Sequence, residues 1–138
     1  MKLSNQQHIS PESLFEELTQ TRIHDPERIV ELALKRKRRK QFTPDGRLNI
    51  LAADHPARRV TKAGSDPFAM ADREDFLLRI IRILSADAAD GIMATMDVLE
   101  ELLLLDGLMQ SRGMPGCLDE KLCWSALIEE ASTGFAGK

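Results

Sequence analysis

Asp54 and His55 stand where a short aliphatic run, Leu48-Asn49-Ile50-Leu51-Ala52-Ala53, gives out, and Pro56 forbids its continuation. A continuous apolar run that ends abruptly in polar groups reads as a buried parallel strand. In α/β proteins the residues just past the C-terminal end of such a strand are where ligands bind. A carboxylate and an imidazole at that place make Asp54 and His55 the first candidates for chemistry. The polar stretch that follows, from Pro56 to about Pro67, carries Arg58, Arg59 and Lys62. Several cations on a loop after a strand suit an anionic substrate such as a sugar phosphate. A solvated connection accounts for the same composition equally well, although structureless loops of about 12 residues are uncommon in compact domains and are often functional.

The elements that must hold these residues follow from punctuation and periodicity. Ser10-Pro11-Glu12 is a helix start, with Leu14, Phe15 and Leu18 on one face, so a short helix to about Gln20 is expected. Asp25-Pro26-Glu27 repeats that signal. The helix it opens carries Ile29, Val30, Leu32, Ala33 and Leu34 and closes in the basic block Lys35-Arg36-Lys37-Arg38-Arg39-Lys40. Cations at a helix C-terminus complement its dipole, and a solvated helix end is the favoured reading of the block. Binding of phosphate or nucleic acid is the alternative. Pro44-Asp45-Gly46 marks the turn into the first strand.

Farther along, Phe76, Leu77, Ile80, Ile81 and Leu84 fall at helical spacing, with Arg79 and Arg82 on the opposite side. A helix from about Asp72 to Ser85 follows. Asp90-Gly91-Ile92-Met93-Ala94-Thr95 reads as a second buried strand. Asp97 is placed to cap the next helix, which runs through Val98, Leu99, Leu102 and Leu103 to Asp106-Gly107. Strand, loop, helix, strand, helix is an alternating α/β pattern with a parallel sheet.

The chain has 138 residues, 43% hydrophobic and 30% charged, which is long enough for one domain with a core. A formal net charge of -3 speaks against nucleic acid or an anionic membrane as the main partner. Cys117 and Cys123 are too few for a disulfide framework or a zinc site, which fits reduced thiols in a cytoplasmic protein. No metal and no cofactor are expected. Neither a leader peptide nor an apolar run of about 18 residues is present, so no membrane segment is expected.

Three strings taken together, RLNILAADHPAR, DPFAMADREDFLLRIIRIL and DGIMATMDVLEELLLL, resemble the N-terminal part of class I aldolase-type (βα)8 barrels. That group includes the deoxyribose-phosphate, fructose-bisphosphate and tagatose-bisphosphate aldolases, and the similarity points to a branch associated with inositol catabolism. The resemblance implies the first units of a TIM barrel over residues 47–122, two parallel strands with their helices. A helical extension (1–46) precedes it and a divergent tail (123–138) follows. It implies lyase chemistry, a retro-aldol cleavage through a lysine Schiff base, on a phosphorylated sugar or polyol-derived substrate. On that reading Asp54 orients or deprotonates a substrate hydroxyl, His55 sits beside it, and Arg58 and Arg59 hold the phosphate. The lysine belongs to a later strand that none of this chain's lysines occupies, so the chain is expected to be inactive alone.

From Cys123 the residues leave the family pattern. Codons permitted for Trp124 to Ser132, read one base out of register, can spell Leu-Val-Gly-Ser-Asn-Arg-Gly-Gly-Leu, a turn of the kind the family keeps there. A shifted reading frame, giving a truncated product, is the expectation; half of a split barrel completed by a partner chain is the alternative. A small helical interaction or nucleic-acid-binding module built on residues 35–40 is a further reading. With only two strands, Ile80, Leu99, Leu102 and Leu103 are expected to lack packing partners, leaving a poorly soluble or molten chain unless another polypeptide supplies the remaining strands.

Overall fold

The computed structural model describes residues 10–86 and 88–125. Two helices come first, α1 (Pro11–His24) and α2 (Arg28–Lys35). Then follow β1 (Ile50–Ala53), a 3-10 turn (Pro56–Arg58), α3 (Arg73–Ser85), β2 (Gly91–Ala94), α4 (Met96–Ser111) and β3 (Leu122–Ser125). The strands form one parallel sheet in the order β1-β2-β3. Ile50, Gly91 and Leu122 stand in register at one end, and Ala53, Ala94 and Ser125 at the other.

The α/β pattern is present, but the expected TIM-barrel portion with two strands is not what the chain forms. The sheet is open and has three strands. The third, Leu122-Cys123-Trp124-Ser125, begins the stretch read as a divergent tail. Residues 126–138, where the rest of the proposed frame shift falls, lie outside the described residues.

Capping chemistry explains two of the helices. Ser10 and Asp72 both have extended backbones, and their side-chain oxygens accept from Ser13 N and Asp75 N at the first turns of α1 and α3. α1 runs past Gln20 to His24, where the Arg22 guanidinium reaches Glu101 Oε1 at 2.9 Å. The helix at Asp97 departs from expectation. Thr95 is its N-cap, and Asp97 instead receives Arg73 Nη2 at 2.6 Å.

α4 does not stop at Asp106-Gly107 but continues to Ser111. Gly107 lies against α2, and a Cβ there would come within 2.8 Å of Leu32 Cδ2, so glycine allows the two helices to approach. The buried Asp106 carboxylate turns outward from α4 to accept the backbone N–H groups of Cys117 and Leu118 and the Gln110 side-chain amide. A buried carboxylate with three donors satisfies the requirement that interior charge be hydrogen-bonded.

The core forms on one face of the sheet. Ala53, Ile92 and Ala94 point to the face that meets the buried Leu77, Ile80 and Leu84 of α3 and Val98, Leu99 and Leu102 of α4. The second side of α4 is covered by α1 and α2, which bring Phe15, Leu18 and Leu32 against the cluster. The expectation that Ile80, Leu99 and Leu102 lack partners therefore fails: the N-terminal helices supply a layer that strand counting leaves out. Leu103 is half-buried. No helix among the described residues is long and apolar enough to cross a membrane.

The basic block is not a free helix end. α2 ends at Lys35, and the chain beyond it crosses the N-terminal ends of the strands as a strap. Arg36 Nη1 donates to Lys121 O at 2.6 Å and to Leu118 O at 3.2 Å. Lys37 Nζ pairs with Glu120 at 3.0 Å, and Arg39 Nη2 with Asp90 Oδ1 at 3.0 Å. Asp90 is the junction. Its Oδ2 accepts Asn49 N at 2.8 Å, its N–H donates to Asn49 O, and its C=O accepts Leu122 N at 2.9 Å.

The Asn49 N–H first and the Arg39 guanidinium next hold the Asp90 carboxyl below the ordinary carboxylate range. A folded-state value below the unfolded one contributes stability that is complete above the unfolded value of about 4 and is lost as pH falls through the folded one. Asp90→Asn is therefore expected to flatten the acid limb of the stability–pH curve below about pH 4. Urea midpoints measured across that range for both proteins check it; parallel acid limbs refute it.

Gly91 answers a second constraint. A Cβ at this position would run into Leu122 O and come within 2.8 Å of Leu122 Cβ on the neighbouring strand. Backbone cannot swing aside as a long side chain can, so Gly91→Ala is expected to cost about 1–3 kcal/mol, the usual range for overpacking. Equilibrium urea unfolding measures it, and an unchanged midpoint would contradict the close approach.

Candidate functional site at the C-terminal end of the sheet

β1 delivers Ala53 into the core and Asp54 to the rim, and the chain then folds back at once. Pro56 sets the first position of the 3-10 turn, whose hydrogen bonds run from Arg58 N to His55 O and from Arg59 N to Pro56 O, each 3.0 Å. One turn places residue 58 over residue 54. Arg58 Nε lies 3.0 Å from Asp54 Oδ2, and Arg58 Nη2 lies 3.2 Å from Oδ1. The guanidinium fork thus matches the carboxylate bidentately.

Burial within the pair is unequal. The Asp54 side chain is 9% exposed and that of Arg58 51%. Asp54 is buried charge neutralised by a partner that still faces solvent. Arg58, expected to hold substrate phosphate, is committed on two of its nitrogens to Asp54. Arg59 differs. Its backbone is left-handed (φ 60°), an uncommon conformation for a residue with a side chain, and its side chain is exposed. Among the described residues no ion pair engages Arg59 and no side-chain hydrogen bond engages His55. His55 is half-buried, and its carbonyl accepts the Arg58 and Val60 N–H groups.

The rest of the loop is ordered by its own backbone. Ala63 and Asp66 exchange two hydrogen bonds, Thr61 Oγ1 donates to Pro67 O at 2.9 Å, and Met70 N donates to Thr61 O. The 56–67 stretch is therefore a folded loop that fixes where Arg58 and Arg59 stand.

At the exit of β2, Thr95, Met96 and Asp97 face the same end of the sheet. Asp97 belongs to a network that sequence reasoning missed. Arg73 joins Asp97 (2.6 Å) and Glu101 (2.7 Å), and Arg22 joins Glu101 (2.9 Å) and Glu100 (3.3 Å). Burial opposes the charge on Arg73, but Glu101 and then Asp97 outweigh it and its affinity for the proton rises. Burial opposes the charge on Asp97 too, and the Thr95 hydroxyl and Arg73 prevail, so its carboxyl titrates below its ordinary range. These groups are mutually satisfied and read as a brace between α1, α3 and α4. Their partners lie 24 to 79 positions apart, a separation that leaves no local signal.

A cavity of about 490 Å³ lies at the opposite end of the sheet, between the strap and the loop after α4, lined by Arg39, Asp90, Cys117 and Lys121 among others. Arg39 there pairs with Asp90, and Lys121 Nζ donates to the backbone Ala89 O at 2.6 Å. No imidazole lines this cavity, and the strand-exit residues Asp54 and His55 lie at the other end of the sheet. Both cysteines are free, and burial pushes both thiols up, Cys117 further because Asp106 is beside it. Neither is a reactive thiolate at neutral pH. Among the described residues no group of three or more His, Cys, Asp or Glu is placed to hold a metal ion.

The Asp54–Arg58 pair makes an asymmetric prediction. Arg58→Ala leaves a buried carboxylate without its partner and should cost about 1–3 kcal/mol. Asp54→Asn leaves Arg58 half-exposed and free to rehydrate, and should cost roughly 1 kcal/mol or less. Denaturant unfolding of the two variants checks the order; equal costs would mean that the carboxylate is not buried as described.

Comparison with known proteins gives this geometry a family. A family model described as Cgl0159-like matches residues 46–127. The crystal structure of Cgl0159 from Corynebacterium glutamicum superposes with a TM-score of 0.69 at 36% identity, covering 84% of this chain and 36% of that one. None of the curated proteins compared matches the chain. The matched region spans little more than a third of the Corynebacterium protein. These matches overturn the resemblance to class I aldolases and the lyase and inositol-catabolism reading built on it: the strings quoted above lie largely in the region that the Cgl0159-like model claims. The chain belongs to the Cgl0159-like family.

Proposed function

We propose that this chain provides one wall of a binding site for a phosphorylated small molecule, a sugar or polyol phosphate, at the C-terminal end of its parallel sheet. The observation that carries the reading is Arg59. It is an exposed cation held in the left-handed region by a turn that Pro56 initiates and the Asp54–Arg58 fork locks. A left-handed residue other than glycine costs on the order of 1–2 kcal/mol, and such local strain clusters at ligand clamps. His55, at the first position beyond Asp54, is the neighbouring hydrogen-bonding group. Arg58 keeps one side of its guanidinium toward solvent, so the two consecutive arginines present adjacent cationic groups to an anion.

The rim is open rather than enclosed, so the ligand meets this wall from solvent unless further polypeptide completes the site. Binding of the small anion alone is therefore weak and salt-dependent. The test separates strain from recognition by using glycine. Arg59→Gly removes the cation and relieves the left-handed strain, while glycine's freedom in the unfolded chain offsets most of that gain. Its stability should stay within about 1 kcal/mol of wild type. Inorganic phosphate titrated into both proteins and followed by amide NMR shifts should perturb residues 54–60 of the wild type, and much less those of Arg59→Gly. Equal perturbation in the two proteins sinks the proposal.

A further inference from the structure

We propose that the open edge of β3, with the apolar groove beside it, is a docking surface for a second polypeptide that adds one further parallel strand and an amphipathic helix, its source the part of a Cgl0159-like chain that lies outside the match.

Three features of this surface agree. Among the described residues β3 pairs with β2 on one side only, and its Leu-Cys-Trp-Ser sequence carries none of the charge, proline or bulge with which lone edge strands are protected. The sheet face opposite the helices is thinly covered. Ala52 is exposed, Met93 half-buried and Trp124 37% exposed, with Phe42 set edge-on against the indole at 6.1 Å. Parallel sheets are ordinarily covered on both faces. Finally, a groove of about 470 Å³ runs beside β3, lined by Val30, Leu34, Met96, Leu99, Leu103 and Cys123 among others. Leu34 is 74% exposed and Val30 61%. Clustered aliphatic exposure of this kind marks an interaction surface, whereas single exposed leucines do not.

The occupant follows from the relative. The match leaves almost two thirds of the Corynebacterium chain outside the part that corresponds to this one. A strand added to β3 would satisfy its free backbone groups, and a helix returning alongside would fill the groove, as β-strand addition does elsewhere. The groove carries little charge: Arg36 and Arg38 line it, Arg36 is engaged with the Leu118 and Lys121 carbonyls, and Glu100 is paired with Arg22.

The experiment co-expresses the full 138-residue chain with the part of Corynebacterium Cgl0159 that lies outside the match, and follows hydrogen exchange in the purified material. Expected are co-purification at one to one and exchange at Cys123, Trp124 and Ser125 slowed by about tenfold or more relative to the chain alone. Leu34→Glu, on an exposed position where the fold tolerates charge, should weaken the complex by about tenfold or more with unchanged circular dichroism. Failure to co-purify overturns the proposal, whether the surface is covered by residues 126–138 or by solvent. Self-association of this chain with the same protection at β3 makes a second copy the occupant and likewise overturns it. Co-purification without protection at β3, or insensitive to Leu34→Glu, places the contact elsewhere and refutes it too.

Discussion

Three parallel strands can be brought together only if something far along the chain holds their starts in register, and in this protein that is Asp90. Its backbone bonds to Asn49 before β1 and to Leu122 at the head of β3, while its carboxylate takes the Asn49 N–H and the Arg39 guanidinium. One residue thereby links both strand pairings to the strap that descends from α2. Short strands of four residues leave little redundancy: the register Ile50, Gly91, Leu122 is set at this row, and every side chain beyond it falls on the core face or the open face accordingly. Gly91 is needed for the same reason, because the row is so tight that no side chain fits between β2 and Leu122.

The strap shows why a run of like charge is a poor guide to function. Lys35 to Lys40 reads as a cationic patch, yet Arg36, Lys37 and Arg39 each meet oxygens on the 118–121 loop or Asp90. Exposed pairs such as Lys37–Glu120 contribute little individually. Arg36, which reaches two backbone carbonyls from a half-buried position, matters more because those carbonyls belong to the loop that precedes β3, where Leu118 O also accepts the Lys121 N–H. Arg36 thus ties the loop to the strap and helps to fix where β3 begins.

The sequence was informative wherever the determinant was local. The apolar runs of β1 and β2, the Ser10 cap and the stripe of α3 all stand where periodicity and punctuation place them. The i,i+4 spacing of Asp54 and Arg58 contains their pairing once Pro56 is read as the start of a turn. What was missed was non-local. β3 is four residues long without a bracketing turn signal, and its strand character comes from pairing with β2. Asp106-Gly107 looks like a helix stop, but tertiary contacts override it: Leu32 needs the glycine, and the 117–118 amides need the carboxylate. The aldolase resemblance rested on strings that lie inside the region the Cgl0159-like model matches, and that match replaces the family drawn from them.

The two ends of the sheet have different electrostatic fates, and the difference separates support from recognition. At the N-terminal end, the strap pairs with carboxylates, Arg39 with Asp90 and Lys37 with Glu120, and Lys121 Nζ is taken up by the Ala89 carbonyl. At the C-terminal end, the brace around Arg73 is equally closed, and Asp54 is matched by Arg58. Arg59, which no ion pair engages among the described residues, and the His55 ring stand there on one turn, whose backbone is left-handed at Arg59. Arginine in that backbone carries a steric cost that glycine would not, while glycine loses more conformational freedom on folding, so stability alone does not select between them. The Arg59 side chain is therefore available without being required by the fold, and the chemistry a guanidinium recognises most strongly is an oxyanion.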